Sequence, residues 1–550
     1  MESLKEIKSY NKFFFLYPLT YIIYITLSFA IGVAIAFKNN NFLHISIIIF
    51  FILIALSIIS ALKNKLNISI IALIFSCLFI GYSYTVIRYY NILKNPLNNF
   101  DKPIEAYNAK ILSYDGVVGF RERYIAYVDK VYDGTNWYNY AGNIRIYNDS
   151  LKTLFINDEI TVSSKINLYK NILTNNDIYN SQIIIEVLED RMLYGVASIY
   201  RYNNFVIQKN GFSIVNYINT HSTKIRNIIK KSLGSNMEAI PYSIAQGIMI
   251  GDKNIIPYHI RQYFIDSGIS HILSISGLHI SMILSILFLI LSFFPINFYK
   301  RILISTIITI IIYPPITLFS VSIIRASIMA FCLLISYYFD RNRNSINALF
   351  LSALIILLLN PNSIKDISFQ FSFLATLGII IYYPIFNFYI IKNIKNINTN
   401  NKITNFIKNI SIKLLAFLSI SIFALIAVLP LSIYHFSILN ITSLISNIFA
   451  VPLSFIILSS SLITIITYQI YAPLSIFPSK TTEFFSAILI ELANKFSNLN
   501  FLKYELSLNL YSAVFITFMI VFIGIIIRIK INKLNSIYNK STHAKQVLKN

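Results

Sequence analysis

The sequence predicts a polytopic α-helical membrane protein of about 11–12 transmembrane helices, carrying one small extracytoplasmic β-barrel of OB-like type. Three observations lead there. The chain is 56% hydrophobic with a mean hydropathy of +0.64, far above a soluble globular protein. Apolar runs of roughly twenty residues, enough to cross a bilayer's hydrocarbon core, recur along it. From Pro103 those runs give way to short alternating segments divided by turn residues.

Residues 1–90 hold three such runs, at 13–37, 42–62 and 68–87. The first is too long for a cleavable leader and lacks a small-residue cleavage site. Residues 91–210 are the predicted β domain. Its candidate strands are "IEAYNAKILSY", "RYIAYVDKVY", "NIRIY", "EITVSSKINLY" and "SQIIIEVLE", with turns marked by "DG", "DGTN" and "NND". Residues 211–268 connect the domains. There "SIVNYINTHSTKIRNIIKKSL" spaces isoleucines helically between basic residues, the pattern of a helix on a membrane surface. Gly247, Gly251, Pro257 and Gly268 then interrupt apolar stretches as re-entrant helices do. Residues 269–530 carry roughly eight or nine further spans. The one near 482–499, with Glu483, Glu491 and Lys495, reads equally as an interfacial amphipathic helix. Residues 531–550 form a basic tail.

A formal charge of +23 invites a nucleic-acid reading, but its distribution speaks first of topology. Residues 91–210 contain 13 basic and 13 acidic residues, so the large soluble-looking segment is neutral. The excess lies at the N-terminus, at 63–65, at 340–344, in the acid-free 392–413 loop and in the acid-free tail. That is positive-inside bias, and it places both termini in the cytoplasm and the β domain outside. Cys77 and Cys332 lie in apolar runs and suit neither a disulfide nor a metal cluster. Tyr107, Tyr124, Tyr127, Tyr132, Trp137, Tyr138 and Tyr140 are available to stack single-stranded nucleic acid. Tyrosine is abundant throughout the chain, however, and a neutral domain lacks the cationic groove such binding wants.

The chemistry lies in polar residues inside apolar runs, where hydrocarbon offers no water to satisfy them. "ISHILSISGLHIS" (269–281) holds His271, Ser276, Gly277 and His279. Ser276 and His279 share a helix face, but a serine nucleophile needs an oxyanion site and a base held on another element, so acyl transfer is disfavoured. His271 and His279 lie about 12 Å apart along an unbroken helix, too far for helical metal ligands. No catalytic residue, metal or cofactor is therefore predicted. Ser274, Gly277, Ser281 and Ser285 form a small-residue stripe suited to close helix packing, and Ser368, Ser372 and Ala375 or Thr376 repeat it. Packing leaves His271, His279, Arg325, Asp366, Gln370 and His435 without a role. Each has a plain reading: snorkelling for Arg325 and Asp366, a loop for His435, a helix cross-link for Gln370. Yet the segments 268–281, 319–329, 360–379 and 429–453 all fall at the outer ends of their spans, which suggests a lined mouth.

These residues resemble the competence domain of the ComEC family of bacterial DNA-uptake membrane proteins. "GISHILSISGLHIS" is similar to that family's glycine followed by His-Leu-Leu-x-x-Ser-Gly-Leu-His, through His271, Ser276, Gly277, Leu278 and His279, with Ile272 at a leucine position. "SIIRASIM" resembles its Ser-x-x-Arg-Ala motif at Ser322, Arg325 and Ala326. "NPNSIKDISFQFSFLATLGI" is similar to its Asn-Pro block at Asp366, Phe369, Gln370, Ser372, Phe373 and Gly378, and "NIFAVPL" to its Asn-x-x-Ala-x-Pro element at Asn447, Ala450 and Pro452.

The resemblance implies a channel that admits single-stranded DNA across the bacterial cytoplasmic (inner) membrane during natural transformation. It implies channel-lining or DNA-contacting roles for His271, Ser276, Gly277, His279, Arg325, Asp366, Gln370, His435 and Asn447, with Asp366 holding Arg325 by an ion pair. Implied partners are single-stranded DNA, membrane lipid, a DNA-receptor protein, a separate nuclease, a cytoplasmic ATPase and further copies of the chain. Many relatives continue into a metallo-β-lactamase-like domain with a His-x-His-x-Asp-His cluster. None of the 7 histidines forms such a cluster, so no nuclease role is expected here. No phosphate-binding Gly-x-x-x-x-Gly-Lys-Ser/Thr loop is present either. The rival readings are a secondary transporter of a small anionic solute and an intramembrane hydrolase built on Ser276.

Overall fold

The structure, a computed structural model, describes residues 21–39, 41–63, 65–118, 121–149, 154, 158–169, 193–200, 205–208, 214–252, 255–338, 344–391, 402–499 and 503–547. The chain divides into two compact units, one of residues 1–224 and 332–366, the other of residues 225–331 and 367–550.

The first unit opens with α1 (Tyr21–Lys38), α2 (Leu43–Leu62) and α3 (Leu66–Arg88), each an apolar run long enough to span a membrane. Helices α1 and α3 meet backbone to backbone. A Cβ on Gly32 would overlap the Leu78 carbonyl oxygen, and one on Gly81 would lie 2.5 Å from the Phe29 carbonyl oxygen. Two glycines facing each other's helix thus set the crossing, as small residues do between membrane helices. Buried hydroxyls pair rather than stand alone, Ser46 with Ser83 at 2.8 Å.

Eight strands follow: β1 (Ala106–Val118), β2 (Arg121–Tyr132), β3 (Trp137–Tyr138), β4 (Gly142–Asn148), β5 (Glu159–Val162), β6 (Ile166–Leu168), β7 (Leu193–Ile199) and β8 (Phe205–Gln208). They form one sheet in the order β6-β7-β4-β2-β1-β5-β8, with β3 on β2 and only β4 and β7 parallel. Strict alternation buries Ile144, Ile146, Ala197 and Ile199 on one face with Tyr107, Ile111 and Ile160, as the period of two requires. The expected OB-like barrel is corrected to an open sheet, since among the described residues no ladder joins β6 to β8. "EITVSSKINLY" supplies two strands, because the chain turns at Ser163–Lys165. Strand β7 was not expected. Gly195 weakens its strand signal but is needed there, since a Cβ would come 2.8 Å from the Asn167 carbonyl oxygen. The predicted strand "SQIIIEVLE" lies outside the described residues.

The turn between β2 and β3 is the predicted "DGTN". Asp133 Oδ1 accepts from the Thr135 and Asn136 amides at 3.0 and 2.9 Å, and Gly134 takes the left-handed φ of 96°. Lys102 Nζ donates to Asp133 Oδ2 at 2.7 Å. The Lys102 ammonium, with the Asn136 amide and the Thr135 hydroxyl, holds the Asp133 carboxyl far below the usual carboxylate range.

In the second unit the chain runs through α4 (Ile214–Gly234, entering from the first unit), α5 (Ala239–Ile250), α6 (Tyr258–Asp266), α7 (Ser270–Leu273), α8 (Gly277–Ser292) and α9 (Phe298–Ile316). Helix α10 (Val321–Tyr338) and α11 (Ser345–Leu359) lead back to the first unit, where the Thr26 hydroxyl donates to the Phe350 carbonyl at 3.2 Å. The second unit resumes with α12 (Ile367–Phe386), α13 (Lys402–Phe436), α14 (Thr442–Ile470), α15 (Ile476–Ser497) and α16 (Leu510–Val547). One core joins α5–α9, α14 and α15 with the end of α4. Helix α12 packs closely on α13, where Gly378 leaves no room for a Cβ against the Phe423 carbonyl oxygen at 2.5 Å.

Helix α4 is amphipathic as expected and buries Ile229 and Leu233, but it also buries a charge. Ile225 and Ile228 are exposed, whereas Arg226 is 4% accessible. Its Nη1 donates to the carbonyls of Ile250 (3.1 Å) and Ile316 (2.6 Å), the last residues of α5 and α9. Asp252 lies 3.8 Å from Nη2 and also accepts from Lys230 (2.9 Å) and Gln246 (3.1 Å). A cation is thus set against two negative helix ends and a carboxylate. Beyond this point α9 ends in a Schellman turn: the Phe319 amide bonds the Pro314 carbonyl at 2.8 Å and the Leu318 amide that of Pro315 at 3.1 Å. Leu318 and Phe319 occupy left-handed φ values of 54° and 53°, where glycine is usual.

Among the described residues 8 helices are long and apolar enough to span a membrane, fewer than the 11–12 expected. Four further apolar helices are shorter: α5, α8, the first part of α10 and α11. Serine, glycine, proline or asparagine interrupts each of those runs, so the break consumes residues counted as span. Helix α15, the doubtful span, is in neither group; Lys480, Glu483, Glu491 and Lys495 keep it too polar, and its serine-rich face is buried.

Two outcomes follow. Replacing Arg226 by alanine takes the donor from the Ile250 and Ile316 carbonyls, while Lys230 and Gln246 still hold Asp252, and should lower unfolding free energy in detergent by roughly 2–3 kcal/mol. The Asp133 turn is read by Trp137, the chain's 1 tryptophan. Because the folded carboxyl titrates below its unfolded value of about 3.9, its stabilisation is complete above that pH and drains away as pH falls below it. Trp137 fluorescence should therefore be flat from about pH 8 to 5 and change only below about pH 4.

Candidate functional site

The apolar run that begins at Ile272 does not make one helix. Helix α7 stops at Leu273, Ser274 and Ser276 take extended backbone, and α8 restarts at Gly277. The premise of an unbroken helix between His271 and His279 is therefore corrected. Gly251 and Gly268, with φ of 75° each, let the break nest: a Cβ on Gly251 would strike Ile275 at 2.5 Å, and one on Gly268 would strike Ser443 at 2.6 Å.

Ser276 is the N-cap of α8 and His279 its N3 residue, forming a capping box with histidine where Glu or Gln is usual. The Ser276 amide donates to His279 Nδ1 at 3.2 Å. An amide can only donate, so Nδ1 is the unprotonated nitrogen and the neutral ring carries its proton on Nε2. His279 is 1% accessible, and its ring makes a backbone hydrogen bond to Ile272. Ser276 Oγ also lies 3.2 Å from Nδ1. The geometry of this pair is that of a cap.

Arg325 approaches the same turn from α10 and is 7% accessible. Its Nη1 donates to Thr376 Oγ1, whose own hydrogen goes to the Ser372 carbonyl at 2.8 Å. The guanidinium lies over the Phe373 ring at 5.7 Å. Its Nη2 lies 3.0 Å from where a Gly277 Cβ would stand, so Gly277 is the opening through which it reaches α8. Nε is buried without a partner. Among the described residues no carboxylate lies in ion-pair reach of Arg325, unlike Arg226.

The structure thus gathers Ser276, Gly277, His279 and Arg325 at the head of α8. Gln370 and His435 meet separately, Oε1 to Nε2 at 3.1 Å. His435 is in the last turn of α13 and not in a loop, as one reading had it. Helix α12 links the two groups, since it carries Gln370 as well as Phe373 and Thr376. Asn447 lies on α14 with its Oδ1 buried and unpartnered. His271 is exposed on α7. Asp366 belongs to the first unit, its amide bonded to the Ser363 carbonyl at 3.1 Å. The packing stripe is also corrected: Ser281 and Ser285 are exposed, each hydroxyl donating to a carbonyl of its own helix, Leu278 at 2.7 Å and Ser281 at 2.8 Å.

On the sheet, the half-exposed face of β2, β4 and β7 aligns Arg123, Arg145, Tyr127, Tyr147 and Tyr194. Arg145 bonds the Tyr169 phenol, whose pKa burial raises more than the arginine lowers it. Tyr127 also lines a recess of about 210 Å³ with Arg88, Tyr89 and Tyr90 at the end of α3. A domain neutral in total therefore still presents arginine interleaved with tyrosine on one face.

Residues 248–531, more than half of the chain, match the family described as "Competence protein". The chain belongs to this ComEC-type competence family. Over 209 residues, 38% of this chain, it is 25% identical to ComE operon protein 3 of Bacillus subtilis (strain 168). The match spans 24% of that relative's length. No solved structure matches. The competence match begins inside α5 and so takes in Asp252, Gln246's helix end and every gathered residue of the α8 head.

Sequence reasoning missed Arg226, Asp252, Phe373 and Thr376 as partners. The basic residues of α4 read as solvated, and Thr376 as a packing residue. The available signal was Asp252 directly after Gly251, an acid at a helix end inside an apolar stretch.

A capping role makes His279→Gln tolerable and His279→Leu not. Thermal unfolding in detergent should leave the first within about 0.5 kcal/mol of wild type and cost the second about 1 kcal/mol, the value of a lost cap.

Proposed function

We propose that this competence-family chain conducts single-stranded DNA across the cytoplasmic membrane during natural transformation, with the β domain outside and both termini in the cytoplasm. The observation that carries the reading is the head of α8. A buried arginine, with no carboxylate in ion-pair reach among the described residues, stands beside Gly277 at the N-terminus of a helix inside an apolar bundle. A polyanion needs hydrogen-bond donors and positive potential along a low-dielectric path, because each phosphate otherwise loses its hydration.

Two further features support it. From this head the α8 surface bearing Ser281 and Ser285 is open, which gives water a polar strip to follow. The Arg123–Arg145–tyrosine face of the sheet has the pairing of cation and aromatic ring that holds single strands before entry. Gln370 and His435 on α12 and α13 would line the same route, as would His271 and Asn447. Membrane lipid is the surrounding partner; a receptor, a separate nuclease and an ATPase would serve the same task from other chains.

Deleting and restoring the gene tests the reading in cells. Uptake of labelled DNA should vanish on deletion, return with the wild-type gene, and stay at least about tenfold down with Arg325→Ala plus His279→Ala at equal membrane abundance. In proteoliposomes, passage of a small anion without passage of an oligonucleotide would instead favour the small-solute transporter.

A further inference from the structure

We propose that α4 and α5 form a polar hairpin through the membrane, turning at 235–238 on the face opposite Gly268, and that the side of α4 bearing Asn227 and Lys231 stands in water within it. Identifying that water with the route of the strand rests on the DNA reading above; the crossing itself does not.

The crossing is read from contacts with α14, a helix of 29 residues and so about 43 Å long, longer than a hydrocarbon core of about 30 Å. In its first turns, Ser446 Oγ donates to the Ser267 carbonyl at 2.9 Å and Ser443 packs against Gly268. Beyond its last turn, Ser475 Oγ accepts from Asn236 Nδ2 at 3.1 Å, and on α15 Glu483 accepts from the Glu238 amide at 3.2 Å. The chain therefore stands at one end of α14 at residue 236 and at the other by residue 267. Helices α5 and α6 make that passage within the core they share with α14 and α15. Helix α4 runs against α5: Arg226 is level with Ile250, the last residue of α5, and Gly234 adjoins the turn. Apolarity does not reveal this crossing, because α4 carries Lys224, Arg226, Lys230 and Lys231 and no acidic residue.

The second observation is what α4 leaves uncovered. Ile229 and Leu233 enter the core, and Arg226 and Lys230 turn to Asp252, while Asn227, Ile228 and Lys231 are exposed. At 1.5 Å per residue Asn227 lies about 13 Å from Asn236, close to the middle of a core of about 30 Å. From Lys231 an ammonium can extend to the headgroups. The short amide of Asn227 has no such reach, and hydrocarbon offers it no hydrogen bond. The Lys230 side chain, 24% accessible while its ammonium holds Asp252, opens beside it. Polar groups at that depth are tolerated where they line a wet cavity. Cations without acids on one helix fit an anionic polymer.

The test uses the full chain with Cys77 and Cys332 replaced by alanine, so that each added cysteine reports alone. In right-side-out and inverted membrane vesicles, an impermeant maleimide should modify Ser235→Cys and Ser270→Cys, both at exposed positions, from opposite faces. Modification of both from one face would overturn the hairpin. A charged methanethiosulfonate reagent should modify Asn227→Cys about 100-fold faster than Ile456→Cys, exposed midway along α14, the factor by which hydrocarbon excludes a charge. Equally slow reaction at the two would overturn the water, and Lys231→Cys serves if Asn227→Cys fails to fold. A twelve-nucleotide oligothymidylate should slow the Asn227→Cys reaction several-fold. Oligonucleotide binding to the cysteine-free chain without that protection would remove this face from the route and leave the DNA reading standing. No binding at all, with Asn227→Cys still reactive, would uphold the wet hairpin and sink the DNA reading.

Discussion

Two helices that end inside an apolar bundle leave carbonyls with nowhere to go, and in this protein the ends of α5 and α9 share Arg226. The residues around the α8 head depend on that junction. Because α9 stops at Ile316, the Schellman turn through Leu318 and Phe319 follows at once, and α10 begins where its first turns bring Arg325 to Gly277. Because α5 stops at Ile250, Gly251 can turn against Ile275, in the gap between α7 and α8. One guanidinium therefore fixes both flanks of the break. The two left-handed non-glycine residues, each disfavoured by about 1–2 kcal/mol, persist because this packing over-determines them.

The placement of charge follows helix polarity throughout. A cation at a helix C-terminus is held, and Arg226 with Asp252 and Lys230 is a closed account of donors and acceptors. A cation at a helix N-terminus is not, and Arg325 with α8 leaves donors over. A structural bundle has no use for the second arrangement, which lowers its stability. Its presence among the residues that carry the competence motifs connects local electrostatics to function more directly than the motifs alone.

Much of this architecture was legible in the sequence. Unbroken apolar runs gave α1 to α3, and "DGTN" gave the β2–β3 turn, because span length and turn chemistry are local properties. Breaks were harder. "SIS" before Gly277 contains no proline, and its middle residue, Ile275, packs against Gly251, a contact that only the fold supplies. The α4 helix misled in one residue: its periodicity shows two faces and Ile229 and Leu233 do enter the core, but Arg226 goes in with them, because the carbonyl ends of α5 and α9 that draw it in are long-range partners. The sheet's closure and its parallel β4–β7 pair depend on long-range register, which strand propensity does not encode. Of the site, the residue types were readable; that Ser276 and Gly277 exist to orient His279 and admit Arg325 was not.

Among the described residues, four shorter apolar helices accompany the 8 that are long and apolar enough to span a membrane. A helix that crosses the whole membrane leaves its unpaired amides and carbonyls in the headgroup region, where water satisfies them. Helix α8, with 16 residues, is about 24 Å long, and a core of about 30 Å must then contain at least one of its ends. Shortening is thus a means of bringing a helix terminus, with its partial charge, to a depth where side-chain charges are otherwise prohibitive. Here the C-terminus of α5 holds Arg226, while the N-terminus of α8 is capped by Ser276 and His279 and met by Arg325 at Gly277. On this logic the broken run at 269–281 brings the N-terminus of α8 inside an apolar bundle, beside the buried Arg325.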